Sequence, residues 1–184
     1  MKILFDTMNR SHLKTTKHRR RKPIRLSEDA YRAHNVFSLT ATTHQRYPWF
    51  QIHPQMNLEA ILCMVVTAKD RNAKIYAWCI MPDHVHLLLQ DSNCVEFMRL
   101  FKGRMTAIAR YFDPIRLMWQ RSFYDHAVRC EESLSDAARY IWENPVRTGL
   151  VAEASRYSGN GSMAWPDWRR RCVMHGLDNP EIGP

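Results

Sequence analysis

Two histidines one residue apart, His84 and His86 in CIMPDHVHLLLQ, and a tyrosine with an asparagine four residues on, Tyr140 and Asn144 in ARYIWENPVRTGLV, have types and spacings that suit chemistry. On a strand, positions i and i+2 point to one side, so two imidazoles can meet at a single ion. On a helix, positions i and i+4 share a face, which sets a phenol beside an amide oxygen. Each pair also has a plainer reading, as two polar residues on the wet side of a strand and as a tyrosine packed beside an amide. Together they fit phosphoryl transfer on nucleic acid. A tyrosine phenolate that attacks a backbone phosphorus holds the strand covalently and conserves the phosphodiester energy, which water would lose. A metal on two imidazoles and an amide oxygen would orient that phosphate and offset the charge building on its non-bridging oxygens.

These side chains need elements to carry them. NVFSLTATTHQR, from Asn35, alternates and is rich in Val, Phe and Thr, which predicts a first strand. MNLEAILCMVVTAKDRN predicts a helix with Leu58, Ile61, Leu62, Val65 and Val66 as its apolar stripe. AKIYAWCI and HVHLLLQ predict a hairpin turned at Met81-Pro82-Asp83. CVEFMRLFKGRMTAIARYF predicts a second helix with Phe97, Leu100, Phe101, Ile108 and Phe112 on one side. WQRSFYDHAVR is a shorter β-like segment, and the helix that follows is stopped or bent at Pro145. The order β-α-β-β-α-β and then a helix is that of an α+β, ferredoxin-like split β-α-β sandwich: an antiparallel sheet with helices on one face and a C-terminal helix carrying Tyr140. Alternation sends Val85, Leu87 and Leu89 to the helix-packed face and His84, His86, Leu88 and Gln90 to the other, open face.

The charge is unevenly distributed. Of the 27 basic and 18 acidic residues, residues 1–26 hold nine Lys or Arg and a single acidic residue, Asp6, leaving 18 basic and 17 acidic residues beyond. This predicts a basic arm at 1–26 with too few apolar residues to fold alone, a catalytic domain at 27–160 and a tail at 161–184. From Arg99 to Arg129 seven basic residues stand against two acidic ones, a candidate docking face on which Lys102, Arg104 and Arg121 are candidate phosphate grips. Trp119, Phe123 and Tyr124 are either stacking platforms for unpaired bases or core. The five cysteines are scattered without a CxxC pair, which reads as reduced intracellular thiols and not as a zinc cage or a disulfide frame. No apolar run approaches the roughly 18 residues of a membrane helix, and no secretory leader is expected in MKILFDTMNR.

With both motifs in view, the chain resembles the REP-associated tyrosine transposases, single-tyrosine members of the HUH nuclease superfamily. MPDHVHLLL is similar to that family's His-hydrophobic-His motif and RYIWENPVRTGLV to its nucleophile helix; FKGRMTAIARYF and WQRSFYDHAVR match its intervening helix and strand. The resemblance runs from about Val36 to about Ser158. It implies a ferredoxin-like domain that binds single-stranded DNA, often folded as short hairpins, and cuts and rejoins it through a 5′-phosphotyrosine on Tyr140. It also implies Mg²⁺ or Mn²⁺ on His84, His86 and Asn144. Ligand chemistry leaves the ion open, since imidazole also suits zinc and Mg²⁺ prefers oxygen; Mn²⁺ satisfies both preferences. Asp83 stands where the family commonly has Asn. Work in the bacterial cytoplasm on nucleoid DNA is expected, as monomer or homodimer. A binding module without chemistry, and a metal hydrolase using water, are the alternatives.

Overall fold

Strand β1, Val36–Thr42, buries Phe37, Leu39 and Ala41 on one side and leaves the residues between them half-buried, as its alternation predicts. The computed structural model describes residues 36–128 and 134–173; the basic arm, Arg129, Cys130 and the last part of the expected tail lie outside the described residues. After β1 come a short helix α1, Trp49–Ile52, and the long helix α2, Gln55–Arg71. Asn72 ends α2 in the left-handed region at φ 51°, returning its N–H to the carbonyls of Ala68 and Lys69. Strands β2, Lys74–Met81, and β3, His84–Gln90, form the hairpin. Helix α3, Cys94–Phe112, opens on Asn93, whose side chain accepts from the Glu96 N–H at 3.1 Å. Strand β4, Tyr124–Ala127, follows; then α4, Leu134–Trp142, a one-turn α5, Asn144–Arg147, a two-residue β5, Asn160–Gly161, and α6, Trp168–Val173.

The sheet runs β4-β1-β3-β2-β5 with every pairing antiparallel, the strand order of the ferredoxin-like sandwich plus one short edge strand. Phe37, Leu39, Ile75, Ile80, Val85, Leu87 and Leu89 pack beneath α2 and α3 in the larger core. An ion pair ties that layer together: Asp91, just past β3 and 5% exposed, takes two hydrogen bonds, at 2.7 and 2.8 Å, from Arg71 at the end of α2.

Helix α3 buries Phe97 and Phe101, as expected, but α2 does not bury the expected stripe. Leu58, Leu62 and Val66 are 60, 49 and 46% exposed, while Met56, Ala60, Cys63, Met64 and Ala68 are buried. Apolar residues surround most of α2, so spacing alone leaves its inward face undecided; the small side chains of Ala60, Cys63 and Ala68 let the helix lie close to the sheet. No helix among the described residues is long and apolar enough to cross a membrane.

The opposite face of the sheet is only partly open. Ala77, Cys79, Met81 and Leu88 lie under Ala138, Ile141 and Trp142 of α4. Residues 161–173, expected as tail, add Trp165, Trp168 and Cys172 to this second layer. Trp142 donates its indole N–H to the Gly161 carbonyl at 2.9 Å, and Asn160 donates to the carbonyls of Trp142 and Ala154 at 2.8 and 3.0 Å. Helix α4 is thus fastened over β2, next to the strand that carries the histidines.

Candidate metal and nucleophile site

The burial pattern of β3 alternates over its first residues, so Val85 and Leu87 enter the larger core while His84 and His86 face the other way, half-buried. Their Nε2 atoms are 3.0 Å apart and their rings stand nearly perpendicular. Each Nδ1 is engaged from behind. His84 Nδ1 donates to the Asp83 carboxylate at 2.5 Å, and His86 Nδ1 lies 2.9 Å from the Thr40 hydroxyl, directly across the β1–β3 pairing. A threonine hydroxyl can donate or accept, so it serves either imidazole tautomer. Asp83 is held in turn by Arg46 at 3.1 Å, which reaches it from a turn where Gln45 and Arg46 both take left-handed backbone angles, φ 53° and 54°.

These contacts set the protonation states. Burial first, then the neighbouring His84 and Arg147, push His86 down to about 3, so its imidazole is neutral at neutral pH and has a lone pair for an ion. Burial would raise the Asp83 carboxyl, but the hydrogen bond with His84 and the Arg46 guanidinium outweigh it and hold the group below the usual carboxylate range. Burial also pushes the Cys79 thiol, paired across from His86, up to about 12, which makes it a poor ligand and a poor nucleophile.

The donor set fits a divalent ion. Both Nε2 atoms converge while both Nδ1 atoms are occupied, the arrangement that orients imidazoles at metal centres. Two donors about 2.1 Å from one ion and at a right angle stand about 3.0 Å apart, the spacing of an octahedral site; a tetrahedral zinc site spreads them to about 3.4 Å. The observed 3.0 Å is also the length of an N–H···N hydrogen bond between the two rings, so it brings the donors together without selecting the ion.

Tyr140 and Asn144 come from the junction of α4 and α5, created by Pro145. Proline lacks the N–H that would bond the carbonyl four residues back, and its ring crowds that carbonyl. The exposed backbone acceptors are taken by side chains: Asn144 Nδ2 donates to the carbonyls of Tyr140 and Ile141 at 3.2 and 3.0 Å, and Arg147 Nη2 to that of Tyr140 at 2.6 Å. With Nδ2 spent, the Asn144 Oδ1 accepts no hydrogen bond among the described residues and remains an oxygen donor. Tyr140 is 63% exposed, and the Arg147 guanidinium lies over its ring at 4.0 Å. Among the described residues no hydrogen bond joins Tyr140 or Asn144 to either imidazole, although Ile141 and Trp142 pack beside the β2 residues paired with the histidines.

The basic residues separate. Lys102 and Arg121 line one cavity of about 360 Å³ with Val95, Met98, Arg99 and Phe123, on the helix side of the sheet and not on the histidine side. Lys102 gives two of its donors to the carbonyls of Gln120 and Ser122. Arg104 lies at the α2–α3 contact, bonded to Thr67 and, at 2.6 Å, to Asp70. Trp119 and Phe123 are core, but Tyr124 is 68% exposed and pairs across from Thr40, so it shares a face and a row with His86. The roles of Thr40, Arg46 and Arg147 went unread in sequence. Thr40 needed the strand pairing, and Arg147, three residues past Asn144, carried only the weak signal of proximity to the motif.

A family model described as Transposase IS200 like matches residues 30–144. A protein of Haemophilus influenzae bearing the REP-associated tyrosine transposase name is 34% identical over 89 residues, covering 41% of this chain and 51% of that protein. The REP-associated tyrosine transposase of Escherichia coli K12 is 28% identical over 95 residues, covering 50% of this chain and 56% of that protein. The chain therefore spans about half the length of these curated relatives. Among solved structures, a REP-associated tyrosine transposase bound to a REP hairpin superposes with a TM-score of 0.57 at 24% identity, over 68% of this chain and 75% of that one. This likeness shows a shared fold.

Proposed function

The chain belongs to the family of IS200-like transposases, and from that premise we propose that it is a metal-dependent endonuclease and strand transferase acting on single-stranded or hairpin DNA through a covalent 5′-phosphotyrosine. The observation that carries the reading is the imidazole pair, with both Nε2 atoms converging on the partly open face and both Nδ1 atoms held by Asp83 and Thr40. His84, His86 and the Asn144 Oδ1 are the ligands. A bound Mn²⁺ or Mg²⁺ would supply Lewis-acid stabilisation of the scissile phosphate.

Tyr140 acts as nucleophile. Its hydroxyl gives up its proton to solvent as the oxygen bonds to phosphorus, the P–O3′ bond breaks, and the departing 3′ oxygen takes up a proton. The downstream strand stays on the tyrosine through its 5′-phosphate until a DNA 3′-hydroxyl reverses the step and rejoins it. Asp83 and Thr40 keep the imidazoles aimed, and Asn144 keeps Oδ1 forward because its amide nitrogen is anchored to the broken helix. The strand would cross β1 and β4 on the histidine side, where exposed Tyr124 offers a face for a base. A structured REP-type hairpin in the bacterial cytoplasm is the proposed substrate, and the basic arm would add phosphate contacts.

The test is incubation with end-labelled hairpin DNA and Mn²⁺ followed by denaturing electrophoresis. A 3′ label should travel with the protein and a 5′ label should leave with the free strand. Tyr140→Phe should yield no adduct, and an equal yield overturns the assignment. Cleavage with no adduct would point to attack by water. Hairpin binding without cleavage, indifferent to chelator and to His84→Ala, would point to a non-catalytic module.

A further inference from the structure

Arg147 contacts the candidate nucleophile in two ways at once. Its guanidinium lies flat over the Tyr140 ring, 4.0 Å from the centroid, and its Nη2 donates to the Tyr140 carbonyl at 2.6 Å. Seven residues on a straight helix span about 10 Å along the axis, and helical side chains lean toward the N-terminus. Arg147 therefore reaches back across the break at Pro145 to the Tyr140 carbonyl, which it shares with Asn144 Nδ2 at 3.2 Å. Glu143, one turn before it, stands 3.5 Å from the other guanidinium nitrogen and steadies the fork. Without this contact Tyr140, 63% exposed, would be a surface tyrosine with several rotamers open to it. The guanidinium also acts electrostatically on His86, helping burial and His84 to hold that imidazole neutral.

We propose that Arg147 is the positioning residue of the nucleophile: it selects one orientation of the Tyr140 ring and presents the phenol toward the histidine pair. This rests on the reading of Tyr140 as nucleophile. The ring contact itself does not depend on that reading. A flat fork is required, since lysine keeps the charge but can neither stack nor bond the carbonyl in the same pose.

Two measurements test it on the full chain. At saturating hairpin and Mn²⁺, Arg147→Ala and Arg147→Lys should each slow single-turnover adduct formation about 100-fold, the cost of a small misplacement of a reacting group, while hairpin affinity and thermal midpoint stay near wild type. Equal losses in rate and affinity, or full rescue by lysine, would overturn the proposal, because they describe a simple phosphate contact. The second measurement is NMR of ring-¹³C-labelled tyrosine in the DNA-free protein. The Tyr140 ring signal, assigned by its absence in Tyr140→Phe, should move toward the values of a free tyrosine in Arg147→Ala. An unmoved signal sinks the clamp. A protein that forms no adduct yet shows this shift would instead refute Tyr140 as nucleophile and leave the clamp standing.

Discussion

The two halves of the candidate site are built differently. His84 and His86 are held by sheet register: alternation sets their side of the sheet, and Thr40 meets His86 only because β1 pairs with β3 in one alignment. Tyr140 and Asn144 are held by a local event, a helix break at a proline that frees the Ile141 carbonyl, where side chains of the same segment bond the carbonyls of Tyr140 and Ile141. The first half is half-buried and braced from behind at both Nδ1 atoms; in the second an exposed tyrosine is clipped by one arginine beside a half-buried asparagine. Damage to the strand half should therefore spread to metal binding and geometry together, whereas loss of the Tyr140 hydroxyl from the helix half should remove chemistry and leave ion binding intact.

The largest expected effect is on the strand half. His86→Ala should lower Mn²⁺ affinity, measured by calorimetry, by more than the roughly 10- to 100-fold that loss of a partner behind a ligand causes; unchanged affinity would break the comparison. Tyr140→Phe should leave that affinity alone. Next comes Thr40→Val, which keeps the shape of the strand but removes the group behind His86, with a loss of about 10- to 100-fold in Mn²⁺ affinity. Asp83→Asn should do less, because an amide oxygen still accepts from His84 Nδ1. Tyr124→Ala should weaken single-strand binding by about 1–3 kcal/mol, a base-stacking contribution, without changing ion affinity; a fluorescence anisotropy titration with unstructured oligonucleotide separates the two.

The smallest effect is in the second core layer. Burial pushes Cys172 up to about 11 and Tyr157 up to about 12, above their ordinary values of 9.0 and 10.0. The folded protein keeps protons there that the unfolded chain releases, so stability is full below about pH 9 and declines as pH rises toward 11–12. The thermal midpoint of wild type should fall through that window, and Cys172→Ala should fall less steeply.

Most of the fold was legible because its signals are local. Strand alternation, the Met81-Pro82-Asp83 turn and the element order lead to the sandwich without any long-range information. The α2 stripe was misread because Leu58, Leu62 and Val66 satisfy helical spacing as well as the residues that are buried. The division of the basic face was not legible for a related reason. Lys102, Arg104 and Arg121 look alike in a charge count, but Arg104 turns to Asp70 across the α2–α3 contact while the other two share a cavity.

By itself the sequence determined which way His84 and His86 point relative to Val85 and Leu87, and that the helix carrying Tyr140 breaks next to Pro145, where Asn144 stands. Those follow from backbone periods of two and 3.6 residues and from one missing N–H. Only the tertiary structure decided that Thr40 and Asp83 occupy the rear of both imidazoles, and that part of the supposedly open face lies under α4 and residues 161–173. Those depend on which distant strands pair and which apolar surfaces find each other. Side-chain spacing within one element carries no record of either.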